Sequence, residues 1–153
     1  MARFRFKLQP VLEQRAREER DKQLVVAQLD RERLALESRI RQCQLMIEDE
    51  RGTLSDALAP GSRVDLRAVK MQAGATLMHN FEAQRTVLEL AGVFKRLEHA
   101  RGELMEAAAR RKAVELLKEQ QAQAFKRAMD TKESNDLDEM SVMRFQRNDG
   151  MKL

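Results

Sequence analysis

The side chains that could carry chemistry are few, and their spacing does not assemble a reaction centre. His79 and His99 stand 20 residues apart, with no H-E-x-x-H pattern and no cysteine pair to complete a metal set. Cys43 is the single cysteine, so no internal disulfide can form, which suits a reducing compartment. Six glycines are scattered and none opens a Gly-Lys-Ser/Thr phosphate loop. The carboxylate runs Glu18-Glu19 and Glu48-Asp49-Glu50 read as solvated helix faces rather than acid–base pairs. Arg110-Arg111-Lys112 is a basic cluster, but acidic residues interleave nearly everywhere and there is no aromatic platform for base stacking. These residues argue against an enzyme and against a nucleic-acid binder.

The elements that position them are helices. Charged residues make up 35% of the 153-residue chain and aromatics 4%, a composition of long helices and coiled coils. The net charge is +4, which is mild because 29 basic residues are offset by 25 acidic ones. Leu58-Ala59-Pro60-Gly61-Ser62 is the one strong break after Pro10. Proline cannot continue a helix, and glycine behind it adopts turn conformations freely. The expected fold is all-α: a long two-helix antiparallel coiled-coil hairpin in a single domain. Its parts are an N-terminal arm over 1–9, a first helix over 10–58, a hinge over 59–64, a second helix over 65–133 and a tail over 134–153.

The arm alternates Arg3, Arg5 and Lys7 with Phe4, Phe6 and Leu8, a period of two that reads as extended. Pro10 suits a first helical turn. In the first helix Val26, Arg33, Ile40, Ile47 and Leu54 share one heptad position, and Leu29, Leu36, Cys43, Glu50 and Ala57 the other. The same frame runs back through Lys22, Glu19 and Arg15 to Leu12. The stretch Glu13 to Lys22 is therefore polar on every face, so it should face water or a polar partner.

The second helix should begin near Asp65 with Ser62 as its cap. Its expected apolar stripe is Leu66, Val69, Ala73, Leu77, Phe81, Leu88 and Ala91, shifting to Phe94, Leu97, Leu104 and Ala108. That irregular spacing implies an irregular supercoil, and Gly74, Gly92 and Gly102 should bend or fray the arm. Residues beyond about Val114 outrun the first arm; their Leu116, Leu117, Ala124, Phe125 and Met129 need a partner or the N-terminal Phe4 and Phe6. Ser134-Asn135-Asp136 should weaken the helix, and the last residues, from Arg147 on, read as disordered. No apolar run approaches the roughly 20 residues of a membrane span, and the start lacks a signal-peptide stretch. A soluble cytoplasmic protein is expected.

Both ends resemble those of one family. F-R-F-K-L-Q-P-V-L-E-Q-R-A-R-E-E, with Phe4, Phe6, Leu8, Val11, Leu12, Arg15, Glu18 and Glu19, is similar to the opening of the FliJ family, the small coiled-coil protein of the flagellar type III export apparatus. K-E-S-N-D-L-D-E-M-S-V-M-R-F, with Lys132, Glu133, Leu137, Asp138, Glu139, Arg144 and Phe145, resembles the same family's tail. The resemblance implies a part of the export machine that is like the central stalk of rotary ATPases. Both terminal ends would sit in the pore of the hexameric export ATPase and promote its assembly and activity. The stalk would also contact the cytoplasmic domain of the export gate and help cycle export chaperones. It implies no cofactor, and a location at the cytoplasmic face of the inner membrane held there only through partners.

The same resemblance puts the ATPase-facing residues among Arg15, Glu18, Glu19, Lys126, Arg127 and Lys132. The hinge would then serve to bring Phe4-Arg5-Phe6 near Leu137-Asp138-Glu139. It places the gate contact in the middle and hinge half, often on exposed aromatics; here that region offers Met46, Met71, Met78 and Phe81, and no tyrosine. The competing readings are the stalk of a virulence injectisome, a coiled-coil scaffold without an ATPase partner, and a basic hairpin on nucleic acid. The F-x-F-x-L opening and the L-D-E tail favour the flagellar version.

Overall fold

The computed structural model describes residues 3–61 and 63–149. It contains two helices, α1 (Gln9–Ala57) and α2 (Leu66–Asp149), and no strand among the described residues. The chain divides into two compact units. One is Arg20–Glu106; the other joins the described residues up to Glu19 with those from Ala107 on.

The break between the helices falls where proline and glycine predict it. The Leu58 amide still reaches the Leu54 carbonyl at 3.1 Å, and the Ala59 amide tightens onto Asp56 at 3.2 Å. Pro60 has no amide to continue with, and Gly61 takes φ of 89°, the left-handed region that a side chain would resist. The expected cap, Ser62, lies outside the described residues. Asp65 caps α2: its Oδ1 accepts from the amides of Arg67 at 2.9 Å and Ala68 at 3.4 Å.

In the unit Arg20–Glu106 the two helices run antiparallel. Crossing pairs march away from the turn: Thr76 with Glu50 at 2.7 Å, Arg39 with Glu82 at 2.7 Å, Arg96 with Glu32 at 3.2 Å and Lys22 with Glu103 at 2.9 Å. The α1 frame holds: Leu29, Cys43 and Ile47 are buried, and Val26, Leu36, Ile40 and Leu54 are half-buried.

The α2 frame differs from the expected one. Its seam is Ala83, Thr86, Leu90, Val93, Leu97, Ala100 and Leu104, a regular alternation of threes and fours. Leu29, Leu97 and Ala100 form the buried cluster, with Val26 packed on it. Leu97 and Leu104 belong to both readings, whereas most of the remaining stripe faces water: Leu66 is 74% exposed, Leu77 57%, Phe81 59% and Leu88 74%. The bulky residues thus marked the wrong side. On the inner side the small and hydroxyl residues Ala83, Thr86 and Ala100 alternate with Leu90, Val93, Leu97 and Leu104 and let the opposing side chains in. Thr86 is buried at no polar cost, because its hydroxyl donates to the Glu82 carbonyl at 2.8 Å. Gly74, Gly92 and Gly102 neither end nor interrupt α2, and open space lies where each Cβ would stand.

In the other unit, residues 3–6 run without regular structure along α2 before α1 starts. Pro10 sits in the first turn, where amides have no helical partner to lose. Phe6 is 6% exposed under the Nζ of Lys118, 6.0 Å from the ring centroid, and Phe4 meets Phe125 with centroids 5.8 Å apart. The arm therefore covers α2 past Val114 only in part, at Lys118 and Phe125, while Leu116, Leu117 and Ala124 stay exposed. The break expected at Ser134-Asn135-Asp136 is absent, and α2 continues through Asp149. Each of those residues costs only a few tenths of a kcal/mol in a helix, roughly 0.5 apiece. Strong helix formers flank them, and the Ser141 hydroxyl returns to the Leu137 carbonyl at 2.9 Å.

Candidate functional site

Three surfaces stand out once the seams are placed. The first is an ionic stretch of seam. Glu19, only 14% exposed at its side chain, accepts a hydrogen bond from Arg111 Nε; Arg111 also pairs with Glu115. Both carboxylates hold the Arg111 guanidinium above its ordinary pKa, the hydrogen bond that Glu19 accepts most of all. Arg15 donates to Glu18 at 2.8 Å, and that bond first, with the charges of Arg15 and Arg110 and a bond from Gln14, holds the Glu18 carboxyl below the usual range despite some desolvation. The polar partner expected for Glu13–Lys22 is thus the chain's own second helix. Within the Arg20–Glu106 unit, Lys22 meets Glu103 in the same manner, and its bond lowers the Glu103 carboxyl.

The second surface is the tail. Every described side chain from Asp130 to Phe145 is exposed, whereas Met129 is still half-buried. Lys126, Arg127 and Lys132 are exposed, as are Glu133, Leu137, Asp138, Glu139, Arg144 and Phe145. Of the opening motif, Phe6 is buried, Phe4 and Leu12 are half-buried, and Leu8 and Val11 lie just on the exposed side. The two end motifs do not meet. Phe4 stands at Phe125, and from there to Leu137 the helix rises about 18 Å.

The third surface lies in the Arg20–Glu106 unit. Met71, Met78 and Phe81 are exposed on α2 beside Leu77 and Leu88, and Met46 is exposed on α1. Glu50, at the seam, accepts from Thr76 and stands 3.3 Å from His79, while Gln72 donates to its carbonyl at 3.1 Å. Sequence reasoning missed this cluster and the Glu19–Arg111 and Lys22–Glu103 pairs. The signal was available: Glu19, Lys22 and Glu50 fall in the α1 heptad frame, and only the α2 frame was needed to find their partners.

Among the described residues no group of three or more His, Cys, Asp or Glu could hold a metal, and no helix is long and apolar enough to cross a membrane. Two long helices packed against each other, with charged and apolar side chains exposed, define an all-α coiled-coil protein. The model of the flagellar FliJ protein family matches residues 4–150, and the chain belongs to that family. Membership makes it a component of flagellar protein export, a non-enzymatic one. No curated protein and no solved structure matches the chain.

Proposed function

We propose that this protein is the stalk of the export ATPase: it binds the hexameric ring, promotes its assembly and hydrolysis, links it to the cytoplasmic domain of the export gate and assists the cycling of export chaperones. The observation that carries the reading is the bare end of α2. Sixteen consecutive residues, Asp130 to Phe145, are exposed on a continuous helix, Leu137, Met140, Val142, Met143 and Phe145 among them. A helix so long with no partner among the described residues is built to be covered by another chain.

Of the proposed ring contacts, Lys126, Arg127 and Lys132 are free to reach a partner. Arg15 and Glu18 are engaged with each other along α1, and Glu19 ties α1 to Arg111 of α2 behind the tip. The exposed Met46, Met71, Met78 and Phe81 are the proposed gate contact, where flexible thioethers adapt to a partner surface. A stalk in this position would lie at the cytoplasmic face of the inner membrane, held by its partners.

The test adds the purified protein to the matching export ATPase. Stimulated hydrolysis and ring formation are expected, together with co-purification of the gate domain. No stimulation and no co-purification would sink the proposal. A deletion strain that still swims would count against the flagellar assignment.

A further inference from the structure

Most of the chain's charges in the helix seams have partners, but two opposite sets at one end do not. Arg3, Arg5 and Lys7 are exposed on the arm, and Lys118 joins them in lining one open cleft. No carboxylate lines that cleft, and among the described residues none pairs with Arg3, Arg5 or Lys7. The Lys118 ammonium is satisfied only by the neutral Gln9 Oε1 at 3.0 Å. On the tail, Asp130, Glu133, Asp136, Asp138 and Glu139 are all exposed with Lys132 as the one cation among them. None of these five has a described cationic partner.

Most of the acidic set is out of the arm's reach within one chain. Residues 4–6 lie alongside Lys118 to Phe125, and Asp136 is about 16 Å further along the helix axis, beyond the reach of an arginine side chain. In a second copy running the opposite way they can. If two tails overlap antiparallel about Met129, residues 132–139 of each copy lie over residues 119–126 of the other, where the arm's cations sit. The second tail then occupies the line along α2 that α1 leaves empty. The exposed Leu116 and Leu117 of one copy come against the Met140 region of the other. The contact is isologous, so each cation–carboxylate set is made twice.

We propose that the free protein self-associates through this two-fold contact, the acidic tail helix of each copy docking on the basic N-terminal arm of the other. The assignment concerns the protein without its ring and stands independently of the ATPase reading. If both hold, the dimer keeps the tail covered until the ring takes it.

Sedimentation of the full-length protein tests it. A dimer mass at low salt that shifts to the monomer mass at high salt is expected, because exposed charges are screened. The tail variant Asp136→Lys/Asp138→Lys/Glu139→Lys and the arm variant Arg3→Glu/Arg5→Glu/Lys7→Glu should each be monomeric. Helical circular dichroism should be unchanged in both, since none of these side chains makes a described hydrogen bond or ion pair in the monomer. An equimolar mixture of the two should recover the dimer mass, as each then offers what the other lacks. A wild-type monomer at every concentration, variants that dimerise alone, or a mixture that stays monomeric would each overturn the proposal.

Discussion

Glu19 of α1 and Arg111 of α2 face each other at seam positions where a coiled coil ordinarily sets two apolar side chains. The pair holds the helices in register without driving them together, because desolvating two ions offsets much of their attraction. Glu19→Ala should lower the melting temperature by a few degrees, since Arg111 then loses the closer of its two carboxylates. Glu19→Leu with Arg111→Leu should melt above the wild type and lose most of its salt dependence. Thermal circular dichroism at two salt concentrations measures both. A double variant less stable than Glu19→Ala would show the pair to be a driving contact.

Gly74 and Gly92 sit inside α2 with open space where a Cβ would go. Replacing either with alanine should stabilise the helix by about 1 kcal/mol, raising the melting temperature by roughly 2–4 °C. A drop would mean that the backbone there is needed by something other than solvent.

Phe6 is the most buried side chain of the arm. Phe6→Ala removes a contact of the kind that costs about 3 kcal/mol in a core, and the arm has little else to hold it. Hydrogen exchange should then quicken at residues 3–8 and remain unchanged at Leu29 and Leu97. Uniform quickening would tie the arm to global stability instead.

The carboxyls of Glu18 and Glu103 are more acidic in the folded chain than in the unfolded one, held down chiefly by bonds from Arg15 and Lys22. Their contribution is complete above the unfolded carboxylate value and is lost as pH falls through the lower, folded one. The melting temperature should therefore be flat near neutrality and fall below about pH 4. Glu103→Gln should lower the neutral plateau slightly and shrink the acid drop. Both charges are solvent-exposed, so added salt should mute the effect.

Lys126→Glu/Arg127→Glu/Lys132→Glu changes only exposed side chains. ATPase stimulation should drop several-fold while the melting curve stays put. Phe81→Ala with Met78→Ala should weaken capture of the gate domain and leave ATPase stimulation intact. Exchange of these two phenotypes would reverse the assignment of the two surfaces.

The hinge was legible because Pro60 and Gly61 act locally, through a missing amide and a positive φ. The α1 seam was legible because Val26, Leu29, Ile40, Cys43 and Ile47 are apolar in strict heptads. The α2 seam was not, since Phe81 and Leu88 are more apolar than Ala83 and Thr86, yet only the smaller pair faces α1. Which face of a helix is buried depends on the opposite surface, and one helix's pattern does not contain that. Ser134-Asn135-Asp136 misled for the opposite reason: weak local preferences count little inside a long helix, because propagation is cheap once a helix exists. The ring contacts came from likeness to a family alone; the i,i+3 spacing of Arg15 and Glu18 marks their pair locally, whereas the partner of Glu19 could be found only with the α2 frame in hand.

The capped turn between Ala57 and Leu66 also sets an order of events. Glu50 and Thr76 are 26 residues apart in sequence, Lys22 and Glu103 81, and Gln9 and Lys118 109. Closing a loop costs more entropy the longer it is, so pairing should begin beside the turn and zip outward. During synthesis, Phe4 and Phe6 leave the ribosome first and wait for Lys118 and Phe125 to follow. The arm, made before its partners on α2, is the last to find its place, and until it does Arg3, Arg5 and Lys7 stay open to any acidic surface nearby.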